Sequence, residues 1–283
     1  MHRTTWLASY PKSGNTWFRI FLANLLQPDR GPARLNRLGV STPIASSRLH
    51  FDELLGLPSA LLKAGEIESL RPVADQSLRQ TWEDPLLLRK VHDAYTWLPD
   101  GQPMLGKTPE VAALYILRDP WDVAVSMTNH FSCSLEQAVD HLCNPAFAVA
   151  NGDKGLSNQL IQRLLAWDAH ALSWLEAPLD LHLLHYEAMR QDPLATFRGA
   201  VQFLGLNHDD ASIQAALDAC RFDRLQAQEQ ESRFAETPRK TPRFFRKGQV
   251  GEGLSLLSRE AMDRLQTMKQ RVDAAIAERG FIL

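Results

Sequence analysis

The chain has 283 residues, of which 45% are hydrophobic and 23% are charged, which is typical of a folded globular domain. Lysine and arginine together number 31 and aspartate and glutamate 33, so the net charge is −2. This balance argues against a generally basic nucleic-acid binder, so any anion must be bound by locally placed charge. The cysteines, Cys133, Cys143 and Cys220, form no C-x-x-C pair. Their spacing argues against a disulfide framework and a zinc site and favours a reducing compartment.

The clearest apolar run, at 112–117, is far shorter than the roughly 20 residues that span a bilayer. The N-terminus has no hydrophobic signal segment and enters a strand-like stretch at once. We find no internal repeat and no linker. We therefore expect one domain over residues 1–283, located in the cytoplasm, with neither a membrane nor a nucleic acid as partner.

Apolar periodicity and turn residues predict an alternation of strands and helices along the chain. In chain order we expect a strand at 4–9, a helix at 15–26, a loop at 27–43, short broken helices at 51–70, strands at 86–91 and 112–117, a helix opened by Pro120 and capped by Asp119, a long helix at 156–175, a strand at 181–184, and helices at 193–204 and 258–279, the last capped by Ser258 and stopped by Gly280. This order predicts a single α/β domain with a central parallel sheet flanked by helices.

The first informative string is LASYPKSGNTW at 7–17, where a strand meets a tight turn and a helix. Backbone N–H groups and the helix dipole favour an anion at such a position. Lys12 adds a charge, Gly14 permits close approach, and Ser13, Asn15 and Thr16 add side-chain donors. A simple helix cap with a solvated lysine is the alternative. The lysine precedes the only glycine, which departs from the ordinary P-loop pattern and speaks against a kinase.

The second string is YILRDPWDVAVS at 115–126, in which a buried strand ends at Arg118 and the following helix carries Ser126. Arginine at the carboxyl end of a parallel strand lies where open α/β sheets bind ligands, and it binds phosphate with two parallel hydrogen bonds. An ion pair with Asp119 or Asp122 is the structural alternative.

The third string is a basic segment at 233–247, followed by glycines at 248 and 251. Its bases are Arg233, Arg239, Lys240, Arg243, Arg246 and Lys247, and its one acid is Glu236. Such a run is either a solvated surface or a cationic lid over an anion.

In this order, the three strings resemble the nucleotide-binding elements of sulfotransferases that use 3′-phosphoadenosine-5′-phosphosulfate (PAPS). The resemblance implies that Lys12 contacts the phosphosulfate and that the hydroxyls of the loop 12–17 bind the 5′-phosphate. It implies that the 3′-phosphate is bound by Arg118, Ser126, Arg246, Lys247 and Gly248, and that Trp17, Tyr186 and Phe222 lie near the adenine. The family's tryptophan after the second glycine of the third string is replaced here by Glu252 and Gly253.

A short string, RKVH at 89–92, resembles the family's K-x-H element. At strand spacing, Lys90 and His92 point to the same side. The resemblance implies that His92 is the general base, assisted by Lys90 and Lys12, and a neutral imidazole suits that role near pH 7. His130 and His185 are the alternatives.

The sequence therefore predicts a PAPS-dependent sulfotransferase that releases 3′,5′-adenosine bisphosphate (PAP), uses no metal, and sulfates a hydroxyl or amine of a partly apolar small molecule. We expect segments 28–71 and 131–157, which are rich in loops, to shape the acceptor pocket. The YPKSGNTW form is similar to that of bacterial sulfotransferases acting on natural products such as glycopeptides. A nucleotide kinase and a non-catalytic nucleotide-binding protein are the alternatives, and the oligomeric state stays open.

Overall fold

A four-stranded parallel sheet forms the centre of the fold. The computed structural model describes residues 3–38, 43–152, 155–238 and 240–281. The strands are β1 (Thr4–Ser9), β2 (Leu87–Val91), β3 (Val111–Leu117), β4 (Ala148–Val149), β5 (Gln162–Arg163) and β6 (Asp180–His185). The helices are α1 (Asn15–Leu26), α2 (Arg48–Leu55), α3 (Ala64–Thr81), α4 (Pro120–Phe131), α5 (Leu135–Cys143), α6 (Trp167–Leu175), α7 (Tyr186–Gln191), α8 (Pro193–Phe203), α9 (Asp210–Ala219), α10 (Phe222–Glu231), α11 (Glu252–Leu256) and α12 (Arg259–Glu278).

The strand order in this sheet is β2-β1-β3-β6. Thr4 pairs with Leu87 on one side and with Val111 on the other, and Ala112 pairs with Asp180. Because all the pairings are parallel, the carboxyl ends of the strands meet at one edge of the sheet. The predicted α/β domain with a central parallel sheet is confirmed.

Helices cover both faces of the sheet, and this burial explains why the sequence of β3 is continuously apolar. Ala113 and Tyr115 belong to the core cluster that α4, α5, α6 and α12 complete. Leu114 and Ile116 alternate with them and belong to the cluster completed by α1, α8 and α9. A strand buried on both faces has no polar side, so its residues read as an unbroken hydrophobic run.

Several predicted boundaries are confirmed by the structure. β1 and α1 have the predicted bounds. The Ser258 hydroxyl caps α12 by accepting a hydrogen bond from the Ala261 N–H at 3.2 Å. Gly280 adopts a φ of 70° directly after the last turn, in the left-handed region that glycine enters without strain.

The predicted long helix at 156–175 is wrong in its first half, because only α6 (Trp167–Leu175) forms there. The backbone of 160–165 instead bonds to distant segments. The Leu160 N–H donates to the Ser46 carbonyl at 2.7 Å, and the Arg163 carbonyl accepts from the Ala94 N–H at 2.8 Å. Long-range backbone pairing therefore overrides the helical periodicity of this segment.

Three further expectations need correction. The broken helices at 51–70 are in fact α2 and a longer helix, α3, which continues through Pro72. The loop at 131–157 contains α5, which Ser134 caps. Asp119 occupies the N-cap position of α4 but makes no capping hydrogen bond, and its carboxylate lies 3.6 Å from the Lys269 ammonium instead.

Candidate active site

The carboxyl ends of three strands open into one cavity of about 900 Å³. Lys12 follows β1, Lys90 and His92 lie at the end of β2, and Arg118 follows β3, and all four line the cavity. Ligands of open α/β sheets bind at this edge. The fold therefore brings together side chains that are up to 106 residues apart in the chain.

Most of the predicted site residues line this cavity. They are Lys12, Gly14, Asn15, Thr16, Trp17, Lys90, His92, Arg118, Ser126, Tyr186, Phe222, Arg246, Lys247 and Gly248. Ser13 lies beneath the surface, only 1% exposed, and its hydroxyl has no hydrogen-bond partner. Of the two alternative histidines, His130 is part of the lining and His185 is not.

The phosphate loop, residues 10–17, opens α1 in a shape suited to an anion. Gly14 is the N-cap residue with a φ of 108°, and no side chain caps the helix. The first N–H groups of α1 are therefore left without the usual side-chain acceptor. A Cβ at Gly14 would lie 2.8 Å from the Tyr186 ring, so the position has no room for a larger residue.

Arg118 connects the first and third strings. Its guanidinium donates to the Lys12 carbonyl at 3.1 Å and to the Gln249 carbonyl at 3.0 Å. It also lies 4.2 Å from the centre of the Tyr186 ring. The predicted alternative, an ion pair with Asp122, is present at 3.8 Å, but the short hydrogen bonds run to carbonyls. Its Nε is buried without a partner.

Asp122 holds the glycines of the third string against α4. Its carboxylate accepts from the N–H of Gly251 at 2.8 Å and from the N–H of Gly253 at 2.9 Å. A Cβ on Gly253 would lie 2.5 Å from the backbone of Trp121. Close packing of α11 on α4 therefore accounts for the glycine at this position.

The last two bases of the third string, Arg246 and Lys247, are paired with one carboxylate. Arg246 donates to both carboxylate oxygens of Glu252, and the Lys247 ammonium lies 2.7 Å from the same carboxylate. The hydrogen bond from Arg246 and that from Lys247 lower the pKa of Glu252 to about 2 against the opposing effect of burial. Gly248 has a φ of 61°, and a Cβ there would lie 2.7 Å from the Phe222 ring.

Three aromatic side chains border the phosphate loop and the third string. The Trp17 and Tyr186 rings meet edge to face at 6.2 Å between centroids. The Tyr186 hydroxyl donates to the Gly248 carbonyl at 3.3 Å, and Phe222 packs edge-on to Phe245 at 6.2 Å. These rings offer apolar surface beside the basic groups, as a purine base requires.

Lys12 is a cation kept in an unfavourable environment. Its ammonium packs 3.8 Å from the centre of the Phe244 ring. Burial, together with repulsion from Lys90 and Arg118, lowers the pKa of Lys12 to about 7. An anion in the cavity would supply the missing negative charge.

Lys90 has a carboxylate partner that the sequence analysis did not identify. Its ammonium donates to Glu236 at 2.9 Å, and Arg19 donates to the other oxygen of Glu236 at 2.6 Å. Burial raises the pKa of Glu236, but Lys90 and Arg19 outweigh burial and lower it to about 2. One sequence feature does mark this residue as a partner for the site's cations: Glu236 is the one acid in the basic segment 233–247.

Residues 232–247, here called the covering segment, bring Glu236 and Phe244 to the cavity. Of the predicted basic residues in this segment, Arg239 lies outside the described residues. The Glu229 carboxylate accepts from the Phe244 N–H at 2.6 Å. Asn129 donates to the Arg243 carbonyl at 2.8 Å. The covering segment is thus tied to α10 and to α4.

His92 is half-buried, and its ring orientation is defined. Its Nδ1 lies 2.8 Å from the Ser9 carbonyl oxygen. Since a carbonyl only accepts, Nδ1 carries the hydrogen and Nε2 is left with a free lone pair. Burial and the neighbouring charge of Lys90 lower the pKa of His92 well below its usual value. His92 is therefore a neutral imidazole with a basic nitrogen beside Lys90.

Part of the cavity lining is apolar, and Pro43, Ile44, Phe131 and Val149 contribute to it. These four residues fall within the two segments predicted to shape the acceptor pocket, although 39–42 and 153–154 lie outside the described residues. The Ala45 N–H donates to the Lys90 carbonyl at 2.9 Å, which ties the 43–47 stretch to β2. The apolar lining is therefore adjacent to the lysine and histidine of the site.

Within the described ranges, no group of three or more histidine, cysteine or acidic side chains is placed to hold a metal ion. Cys133, Cys143 and Cys220 are all free. Of the described helices, none has the length and apolar character needed to cross a bilayer.

Comparison with known proteins gives the family of this chain. A sequence model of the sulfotransferase domain matches residues 2–278, so the chain belongs to the sulfotransferase family, whose sulfuryl donor is PAPS. The predicted resemblance is confirmed at this level. The bacterial natural-product type stays a prediction.

Two curated relatives come from plants. Cytosolic sulfotransferase 14 of Arabidopsis thaliana is 25% identical over 97% of this chain and 75% of its own length. Flavonol 3-sulfotransferase of Flaveria bidentis is 22% identical over 98% of this chain and 83% of its own.

Solved structures share the fold at lower identity. Mouse sulfotransferase SULT7A1 complexed with PAP has a TM-score of 0.58 and 19% identity, and the match covers 99% of this chain and 89% of the mouse chain. Retinol dehydratase in a complex with retinol and PAP has a TM-score of 0.62 and 16% identity, and the match covers 96% of this chain and 82% of the retinol dehydratase chain.

Proposed function

We propose that this protein transfers the sulfuryl group of PAPS to a hydroxyl or amine of a partly apolar small molecule, with His92 as general base. The observation that carries the proposal is the 2.8 Å contact between His92 Nδ1 and the Ser9 carbonyl. It leaves the basic Nε2 unprotonated in a cavity that also holds Lys12 and Lys90. A neutral base beside two lysines suits sulfuryl transfer, because the base can accept the acceptor's proton and the ammonium groups can stabilise the departing phosphate.

PAPS fits unsatisfied groups of this chain. The Ser13 hydroxyl and the Arg118 Nε are buried without partners, and the start of α1 has no side-chain cap. Phosphate oxygens are strong acceptors for such donors. A buried polar atom without a partner is costly, so these groups favour an anionic ligand.

We assign the phosphosulfate to Lys12 and to the loop residues Ser13, Gly14, Asn15 and Thr16. We assign the 3′-phosphate to Arg118, Ser126, Arg246, Lys247 and Gly248, and the adenine to Trp17, Tyr186 and Phe222. Arg246 and Lys247 would then exchange part of their pairing with Glu252 for the phosphate. PAPS supplies the group that is transferred, and PAP is the nucleotide product.

The chain's own residues move the proton and balance the charge. His92 Nε2 accepts the proton of the acceptor hydroxyl or amine. Lys12 and Lys90 stabilise negative charge on the departing phosphate oxygen, and Arg118 holds the nucleotide. The transferred group carries less negative charge than a phosphoryl group, so these cations suffice and we expect no metal requirement.

The acceptor that we propose is a small, partly apolar molecule. Related structures hold retinol or androsterone, both small apolar molecules with a hydroxyl or carbonyl group. The lining of Pro43, Ile44, Phe131 and Val149 supports an acceptor of similar character. A bacterial natural product, a cytoplasmic location and a single domain over 1–283 remain our expectations.

The proposal is tested by following label from [35S]PAPS into 2-naphthol, a steroid alcohol and an aromatic amine, with EDTA present. We expect transfer to at least one acceptor without added magnesium. Transfer from ATP that depends on magnesium would favour the kinase alternative. Tight PAP binding with no transfer to any acceptor or to water would favour the non-catalytic alternative.

A further inference from the structure

One face of α6 holds residues 92–95, here called the His92 turn. His170 Nε2 lies 3.1 Å from the His92 carbonyl oxygen, and Trp174 Nε1 donates to the Asp93 carbonyl at 3.1 Å. The Ser173 hydroxyl accepts from the Tyr95 N–H at 3.0 Å. Positions 170, 173 and 174 lie on one side of a helix, so α6 contacts the backbone of 92–95 with a single face.

The protonation of His170 is fixed by its partners. The His92 carbonyl can only accept, so His170 Nε2 carries a hydrogen. His170 Nδ1 lies 2.9 Å from the Tyr115 hydroxyl and must accept from it. Burial lowers the pKa of His170 to about 4 and raises that of Tyr115 well above its usual value. The pair is therefore neutral, with a defined direction of donation from Tyr115 through His170 to His92.

The same turn is held from a second direction. Arg71 makes two hydrogen bonds to the Asp93 carboxylate, at 2.6 and 2.9 Å, and both side chains are almost fully buried. The His92 ring itself is held by the Ser9 carbonyl. His170 contributes the hydrogen bond to the backbone of His92, whereas the other contacts fix either the ring or the neighbouring residue.

We infer that His170, supported by Tyr115, is a positioning residue that keeps the His92 backbone where its ring can donate to Ser9 and present Nε2 to the acceptor. The inference rests on the proposed role of His92. His170 does not line the cavity, so it acts through His92 rather than on the acceptor.

Several groups face His92 and would affect its titration. Lys90 comes from β2, Glu236 from the covering segment and His170 from α6, and the Ser9 carbonyl comes from β1. Substitution at His170 changes only the contact from α6. If the His92 turn loosens, its imidazole becomes more hydrated, and its pKa moves back toward the value of an exposed histidine.

The test compares His170→Leu, His170→Gln and Tyr115→Phe with the unaltered chain. The leucine variant removes the donor to the His92 carbonyl, whereas the glutamine amide can restore it. Tyr115→Phe removes only the supporting hydroxyl. His182→Gln is the matched control, because His182 stacks on Phe203 at 5.3 Å and does not line the cavity.

The first readout is the 15N NMR spectrum of labelled imidazoles across a pH series, with His92 assigned from a His92→Gln variant. In the unaltered chain we expect His92 protonated at Nδ1 and His170 at Nε2. In His170→Leu we expect a mixed His92 tautomer and a higher His92 pKa. His170→Gln should restore the original state in large part, and Tyr115→Phe should give a smaller change of the same sign.

The second readout is transfer from PAPS. We expect kcat in His170→Leu to fall by up to about 100-fold, with the dissociation constant for PAP unchanged and the acid limb of the pH profile shifted to higher pH. A His92 tautomer and titration that do not change in a folded His170→Leu variant would overturn the inference. Absence of transfer in the unaltered chain would instead count against the proposed function, since the NMR readout needs no turnover.

Discussion

The phosphate loop and the His92 turn meet in one cavity, yet they are built in different ways. The phosphate loop takes most of its shape from its own residues, with positive φ angles at Lys12 and Gly14 and an uncapped helix start, and Arg118 adds a hydrogen bond to the Lys12 carbonyl. The His92 turn takes its shape from Ser9, Arg71 and α6, which are distant in the chain. A short string can therefore specify a nucleotide site, whereas the base depends on the whole fold.

Because of this difference, we expect nucleotide binding and sulfuryl transfer to depend on different residues. Changes among the cations near the phosphate loop should alter nucleotide affinity, and changes around the His92 turn should alter transfer at constant affinity. The following predictions probe the nucleotide side of this comparison, in order of decreasing effect.

Replacing Arg118 should have the largest effect on nucleotide binding. Arg118→Ala removes a buried guanidinium that contacts both the Lys12 and Gln249 carbonyls. Loss of charged hydrogen bonds worth about 1.5–3 kcal/mol predicts PAP binding weaker by roughly 10- to 100-fold, measured by calorimetry. Arg264→Ala, which breaks an exposed pair with Asp140, is the control and should bind PAP normally. Unchanged affinity in Arg118→Ala would place the 3′-phosphate elsewhere.

Nucleotide affinity should fall as the pH rises. The pKa of Lys12 is about 7 in the free protein, and a bound anion favours the charged ammonium and raises this pKa. Binding then takes up a proton, and affinity drops by up to about tenfold per pH unit above pH 7.

Calorimetry between pH 7.5 and 9 in two buffers of different ionisation enthalpy measures this uptake. Lys12→Met should bind PAP more weakly and with a flat pH dependence over that range. A steep dependence retained in Lys12→Met would assign the proton to another group, with Lys90 the next to test.

Replacing Glu236 should give the smallest change. Glu236→Gln removes a carboxylate from beside Lys90 and Arg19 and leaves the cavity more positive. At pH 6, where the lysines are charged, we expect the binding free energy of PAP to become more favourable by about 1 kcal/mol, which makes binding tighter by roughly fivefold. Glu83→Gln, in an exposed loop, is the control for the loss of one charge. Weaker binding in Glu236→Gln would make Glu236 a part of the nucleotide-binding frame instead.

The sequence predicted those parts of the fold whose signals are local. The bounds of β1 and α1 follow from apolar residues flanking a turn, and the Ser258 cap follows from its own spacing. The segment before α6 was predicted as helix because periodicity cannot register the bonds of Leu160 and Arg163 to distant backbone.

The site shows the same limit. The residues of the phosphate loop could be named from one string, as could Arg118 and Ser126 from the second. Glu236 meets Lys90 and Arg19 only through the folded covering segment, so no short spacing indicates these contacts. The role we infer for His170 likewise depends on the packing of α6 and not on its neighbours in sequence.

The most direct test of the account is to measure, on one preparation of His92→Ala, both transfer from PAPS and affinity for PAP. Loss of a positioned general base predicts transfer reduced by about 10²- to 10⁴-fold, with the PAP dissociation constant within error of that of the unaltered chain. His182→Ala should leave both values unchanged. Transfer at the full rate in His92→Ala would contradict the assignment of the base and move attention to His130, the other histidine of the cavity lining.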